Sequence, residues 1–190
     1  HLDRLDRSAA AIELAFDRPA LEAEIADLLA EEVPPEGCLR IVVTRGGRRL
    51  LTAEELSPFA DEVSIALIEF TPSEILAGVK SISYAANMQA TRIAAARGAE
   101  EAVYVRPDGI VLEAPTSSVF WAGEDGVLRT PELETGILDS ITRRVVIEDL
   151  APEEGRYEAG ELRGAREAFL ASTTREIQPI SSIDGVELPE

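Results

Sequence analysis

The chain has 190 residues, enough for one ordinary domain or two small ones with a real hydrophobic core. Its 45% apolar and 28% charged residues make a globular composition, and 36 acids against 18 bases leave a net charge of −18 at pH 7. Nucleic acid and anionic lipid bind through positive charge that displaces counterions, so such a surface excludes both as expected partners.

From the N-terminus, Leu2, Leu5, Ala9 and Ile12 fall on one face of a first predicted helix. A second helix follows Asp17-Arg18-Pro19, where Asp17 can cap and Pro19 fits the first turn; its stripe is Leu21, Ile25, Leu28 and Leu29. Val33-Pro34-Pro35-Glu36-Gly37 breaks it, and residues 39–45 read as a β-branched strand ending at Gly46-Gly47. An acidic connector leads to a second strand at 63–70, a loop carrying Lys80, and an alanine-rich helix over 83–98 closed by Gly98.

Two hairpins are predicted next, 102–105 with 110–114 across Arg106-Pro107-Asp108-Gly109, and 118–122 with 127–131 across Glu124-Asp125-Gly126. A helix from about Ile141 to Leu150, a polar stretch, a strand at 167–173 and a closing segment at 175–185 complete the chain. The pattern predicts an α+β protein: a small α+β domain over 1–58, then a larger β-rich domain over 59–190, the boundary falling between Leu56 and Val63.

Cys38 is the one cysteine and His1 the one histidine, which argues against disulfides, zinc clusters and histidine-based catalysis. No apolar run approaches the roughly 20 residues of a membrane span, and the chain opens polar and charged, so a soluble, cytoplasmic protein is expected. Met88 and Trp121 are expected in the core, Cys38 as a small buried hydrophobe, and His1 as a structural residue.

Lys80 is the only lysine among the 18 basic residues. Arginine serves as well for surface charge, but a guanidinium stays protonated, whereas a lysine amine can lose its proton and form a Schiff base. Codon bias would explain the arginines; retention for amine chemistry would explain the lysine. A pyridoxal phosphate site would also need a phosphate anchor, an acid for the pyridine nitrogen and small hydroxyls around the ring. Ser140-Ile141-Thr142 opens a helix, where unpaired amides favour phosphate; Ser172-Thr173-Thr174 ends a strand; Glu113 stands just before Pro115-Thr116-Ser117-Ser118. Singly, these are also a surface helix cap, an ordinary turn and a solvated strand-end acid.

Their order along the chain is more specific. Lys80, SYAANM, Glu113 with its Thr/Ser run, Thr130-Pro131, ILDSITR and STTREIQPI resemble the class IV aminotransferases, the fold-type IV pyridoxal phosphate enzymes. That group includes branched-chain and D-amino acid aminotransferases and aminodeoxychorismate lyase. His1-Leu2-Asp3-Arg4-Leu5 with Ser8-Ala9 is similar to the family's early helix, so the resemblance runs from His1 to Gly185.

The resemblance implies a two-domain fold-type IV enzyme with pyridoxal 5′-phosphate in the cleft, and a homodimer whose partner chain helps close each site. Lys80 would form the Schiff base and move the substrate proton. Arg4 would bind the phosphate, Tyr84 the ring hydroxyl and Glu113 the pyridine nitrogen. Ile141, Thr142 and Thr173 would cup the phosphate, Thr116 would lie near the ring, and the Thr174 amide would meet the substrate carboxylate. Ser83 and Ser118 stand where the family usually has asparagine, and Ser140 where it often has glycine. The chain also looks clipped at both ends.

The implied activity is amino transfer between an amino acid and a 2-oxo acid, with Tyr84 and the STT segment favouring a branched-chain-like L-amino acid. The alternatives are 4-amino-4-deoxychorismate lyase, releasing 4-aminobenzoate and pyruvate, and a non-catalytic relative acting as a binding or structural protein.

Overall fold

The computed structural model describes residues 1–31, 34, 36–56 and 58–189. Parts of two sequence features, Val33 and Pro35 of the helix break and Ser57 of the expected boundary, lie outside the described residues. The chain divides into two compact units, His1–Phe59 and Ala60–Glu190.

The first unit holds α1 (Leu2–Ala11), α2 (Arg18–Ala30), β1 (Gly37–Val43) and β2 (Arg49–Glu55). Asp17 caps α2 by accepting the Ala20 N–H at 3.0 Å, and Pro19 occupies its first turn. Arg18 ties α2 to α1 through Asp3 and Asp6, and pairs with Glu22 one turn along its own helix. Leu21 is fully buried, whereas Leu29 and Ile12, placed on the apolar stripes by periodicity, are exposed.

β1 pairs antiparallel with β2 in register Val43↔Arg49, closing across Gly46 and Gly47 at φ of 94° and 77°, which side-chain-bearing residues resist. β2 takes up part of the segment expected as an acidic connector. Its polar residues sit on a two-stranded ribbon where every position is at most half-buried, so no hydrophobic run marks it. Its anchors are ion pairs: Arg49 grips Glu24 at 2.6 and 2.7 Å, and Arg40 grips Glu54.

The second unit contains β3 (Val63–Glu69), α3 (Ala85–Ala96), β4 (Glu101–Val105), β5 (Ser118–Ala122), β6 (Leu128–Pro131), α4 (Ile141–Leu150), β7 (Glu153–Gly155), α5 (Ala159–Arg163), β8 (Glu167–Ser172), β9 (Glu176–Ile183) and β10 (Val186–Glu187). They form one mixed sheet in the order β4-β3-β9-β8-β5-β6-β7, with β10 on β9, so the unit is α+β with a dominant sheet. β9 joins two leaves. Residues up to Pro179 pair antiparallel with β8, and those from Ile180 onward run parallel with β3. Pro179, which has no N–H to donate, sits at that switch.

Alternation divides the core into two layers. Ile65, Leu67, Val103, Trp121, Leu162 and Leu170 belong to one cluster. Ala66, Ile68, Ala102 and Tyr104 face the other way, against Ala90 and Ala94 of α3. Small alanines let this helix lie close on the strands. It ends in a Schellman motif, with Gly98 at φ 83° and the Ala99 N–H on the Ala94 carbonyl at 3.0 Å.

Trp121 is buried as expected. Met88 is not a core residue: it is 54% exposed, because α3 buries its alanine face and turns Met88 outward. Cys38 is half-buried rather than buried, on the exposed β1–β2 ribbon.

Candidate active site

β3 ends at Glu69, and the chain passes through a single 3-10 turn, Glu74–Leu76, before reaching Lys80. Tyr84 is the N-cap residue of α3, with no side-chain cap, so its ring is free to turn back. Four positions of non-helical chain separate the two residues. The Lys80 ammonium donates to the Tyr84 hydroxyl at 3.0 Å and lies 5.6 Å from its ring centroid.

Glu113 reaches the same region through a β-bulge. The Tyr104 N–H donates to the Glu113 carbonyl and the Leu112 N–H to the Tyr104 carbonyl, both at 2.9 Å, so two residues oppose one. The bulge breaks the alternation, as it does generally near functional sites. Val111 and Ala114 pack in one core cluster while Leu112 packs in the other. The loop that follows is fastened to α3 by the Asn87 amide on the Pro115 carbonyl at 2.5 Å.

Glu113 is half-buried as a residue, and its carboxyl accepts the Leu138 N–H away from solvent. Burial pushes its pKa up to about 7 against the pull of the Leu138 N–H, at 3.0 Å, and of the Lys80 and Arg143 charges.

The start of α4 forms the opposite wall. Ser140 caps it by accepting the Arg143 N–H at 3.1 Å, and its hydroxyl meets Ser118 Oγ at 3.2 Å. Ile141 and Thr142, both half-buried, open the helix with N–H groups that have no intrahelical acceptor. Val146 packs with Phe120 and Ala171, holding α4 to β5 and β8. Beneath the first turn, the buried Arg143 guanidinium donates to the Pro131 carbonyl at 2.7 Å and to Glu154 at 2.6 Å.

The ladder register brings the second hydroxyl cluster to this wall. Ser118 pairs with Ala171, so Ser172-Thr173-Thr174 continues past the same sheet edge as Ser117 and Ser118. Thr173 is exposed and Thr174 half-buried in the β8–β9 turn, and Thr116 is exposed in the loop before β5. Arg4 is half-buried on α1 and belongs to the first unit; its neighbours Asp3 and Asp6 pair with Arg18.

Some site-supporting residues were singled out by no role in the sequence. Asn87, Arg143 and Arg175 stood inside the SYAANM, ILDSITR and STTR motifs without an assigned part. Tyr104 looks like an ordinary strand residue and Glu101 like a strand-end acid.

Residues 1–183 match the family described as Amino-transferase class IV. The chain belongs to that family. Aminodeoxychorismate lyase of Bacillus subtilis is 35% identical over 70% of this chain and 46% of its own length. A putative branched-chain-amino-acid aminotransferase of Methanocaldococcus jannaschii is 32% identical over 97% of this chain and 73% of its own. D-alanine aminotransferase of Listeria innocua is 31% identical over all of this chain and 74% of its own.

Among solved structures, the fold IV-transaminase CpuTA1 of Curtobacterium pusillum superposes with a TM-score of 0.86 at 32% identity, covering all of this chain and 73% of its own. A hypothetical aminotransferase of Mycobacterium tuberculosis in its PLP-bound form gives 0.86 at 25% identity, covering all of this chain and 77% of its own. Class IV aminotransferases depend on pyridoxal phosphate. The donor set here suits it: one amine, one carboxyl, a capped helix start and hydroxyls at one sheet edge. Among the described residues, Tyr104 Oη, Ser117 Oγ and Arg143 Nε are buried without hydrogen-bond partners, all on elements that form these walls.

Proposed function

We propose that this chain is a pyridoxal phosphate enzyme that transfers an amino group between an amino acid and a 2-oxo acid. One observation carries the reading. The only lysine of the chain holds its amine 3.0 Å from the Tyr84 hydroxyl, with its charge within reach of a buried carboxyl, Glu113.

The coenzyme, when bound, supplies an aldehyde carbon for amine attachment and an electron-withdrawing ring. Lys80 Nζ would make the covalent attachment and, once freed from it, would carry the proton from the substrate Cα to the coenzyme's aldehyde carbon. Tyr84 orients that Nζ and donates to the ring hydroxyl oxygen. Glu113 holds a proton at the ring nitrogen. The Ile141 and Thr142 amides, the Thr142 hydroxyl and Thr173 hold the phosphate at the positive end of α4. Thr116 borders the ring, and the Thr174 amide receives the substrate carboxylate.

A branched-chain-like L-amino acid is the favoured donor, supported by Tyr84 and by the STT segment; the similarity to a putative branched-chain-amino-acid aminotransferase is matched by that to D-alanine aminotransferase. Ile75, Ile82 and Met88, 90%, 68% and 54% exposed around Lys80, support a homodimer in which a second copy covers this rim. The similarity to the Bacillus subtilis lyase supports a second reading, elimination of pyruvate from aminodeoxychorismate.

The test is the visible spectrum of the coenzyme-loaded protein before and after L-glutamate or L-leucine. A yellow band that collapses with a stoichiometric 2-oxo acid supports transamination. A band that persists, with 4-aminobenzoate released from aminodeoxychorismate in the absence of a 2-oxo acid acceptor, favours the lyase. Absence of any band after loading overturns the enzyme reading, as does a band retained in Lys80→Arg.

A further inference from the structure

Tyr104 is packed where its hydroxyl has nothing to bond. The residue is 4% exposed, and its ring stacks on Phe70 with centroids 4.4 Å apart. Ala90, Leu112 and Ile137 share its apolar cluster, and its Oη is buried without a partner among the described residues. A phenolic hydroxyl shut away from water is costly unless something accepts its proton.

Across the bulge stands a group with the complementary need. Glu113 Oε1 accepts the Leu138 N–H, which leaves the second carboxyl oxygen open to a donor. Two backbone hydrogen bonds at 2.9 Å hold Tyr104 opposite Leu112 and Glu113, and of the charges acting on the tyrosine, that of Glu113 is the strongest. The remaining ionisable groups around the pair are Lys80 and Arg143, which act on Glu113, and Glu101 and Tyr84, which act on Tyr104. Lys80 donates to Tyr84, and Arg143 Nη2 to Pro131 and Glu154, while Arg143 Nε and Ser117 Oγ are also buried without partners among the described residues. Tyr104 is the orphaned donor that the bulge sets directly opposite Glu113.

We propose that Tyr104 is a positioning residue for Glu113, its hydroxyl turning onto the open carboxyl oxygen to aim that carboxyl and favour its charged form. An ionised Glu113 is the form that keeps a pyridine nitrogen protonated, so this consequence rests on the reading of the site given above. The pairing itself is a property of the coenzyme-free protein.

The experiment is a carboxyl NMR titration of coenzyme-free protein labelled with 13Cδ-glutamate, comparing wild type with Tyr104→Phe. Glu113→Gln identifies the resonance. Tyr104→Phe keeps the ring on Phe70, so the fold is preserved and only the hydroxyl is lost. A hydrogen bond to the charged form lowers the titration midpoint, so its loss should raise the Glu113 midpoint by about one pH unit. The melting temperature should not rise. An unchanged midpoint overturns the proposal, and a higher melting temperature in the variant reinforces that outcome, because an orphaned buried hydroxyl has been removed.

Coenzyme affinity, measured in parallel by absorbance, should fall about tenfold in Tyr104→Phe, the loss of one charge-assisted contact. Wild type that fails to bind coenzyme overturns the reading of the site, while the titration midpoint still decides whether Tyr104 and Glu113 are paired.

Discussion

Arg175 and Glu101, 74 positions apart in sequence, meet at 2.5 Å with their side chains 12% and 6% exposed. Glu101 also accepts from the Thr91 hydroxyl at 3.3 Å and the Ala102 N–H at 3.0 Å. Arg175 further donates to Gln178, whose amide reaches the Ala60 carbonyl at 2.8 Å. The turn carrying Thr173 and Thr174 is thereby clamped to the start of β4 and to α3.

Removing one partner leaves an unpaired buried charge, so Arg175→Met and Glu101→Leu should each destabilise by about 3 kcal/mol. The double variant should lose less than the sum of the two, as read by urea denaturation. Additive losses would show that the pair is not coupled.

Tyr84→Phe removes the acceptor from Lys80 while keeping the ring. Because the pair is solvent-accessible, the fold should be unaffected, with a stability change within about 0.5 kcal/mol. Coenzyme affinity should drop about tenfold in an absorbance titration. Unchanged affinity would remove Tyr84 from the binding set.

Glu113 gives the coenzyme-free protein a definite pH signature. Its folded pKa, near 7, lies above the ordinary 4.5, so the folded state holds the proton more tightly. Its effect on stability is absent below about pH 4.5 and grows unfavourable as pH rises toward 7. Glu113→Gln, which keeps an acceptor for the Leu138 N–H, should gain on wild type across that window, reaching about 3 kcal/mol by pH 8. Thermal melts at pH 4.5, 6 and 8 check it; a difference that shrinks with rising pH would contradict the burial of this carboxyl.

Ser140 caps α4 and bonds Ser118. Ser140→Ala should cost about 1 kcal/mol and Ser140→Gly only a few tenths. Chemical denaturation of the two variants separates the cap from the Ser118 contact, since equal losses would place the stabilisation in the Ser118 bond.

Local chemistry made much of this readable. The Asp17 cap with Pro19 starts α2, Ser140 starts α4 at the expected Ile141, and Gly98 ends α3. Caps, turns and periodicity act within a few residues, so they survive in the sequence. The lone lysine and the order of motifs around it identified the family for the same reason: they are properties of the chain itself.

What pairs with what was decided elsewhere. The acidic segment 49–55 becomes β2 only because β1 offers it a register, and Met88 faces outward because α3 had alanines to bury instead. The Arg175–Glu101 clamp and the leaf change at Pro179 join residues distant in sequence, and the bulge that sets Glu113 across from Tyr104 shifts a register within a predicted hairpin. Each depends on the free energy of burying and pairing groups across the sheet, which no local pattern encodes, and only the tertiary structure resolves it.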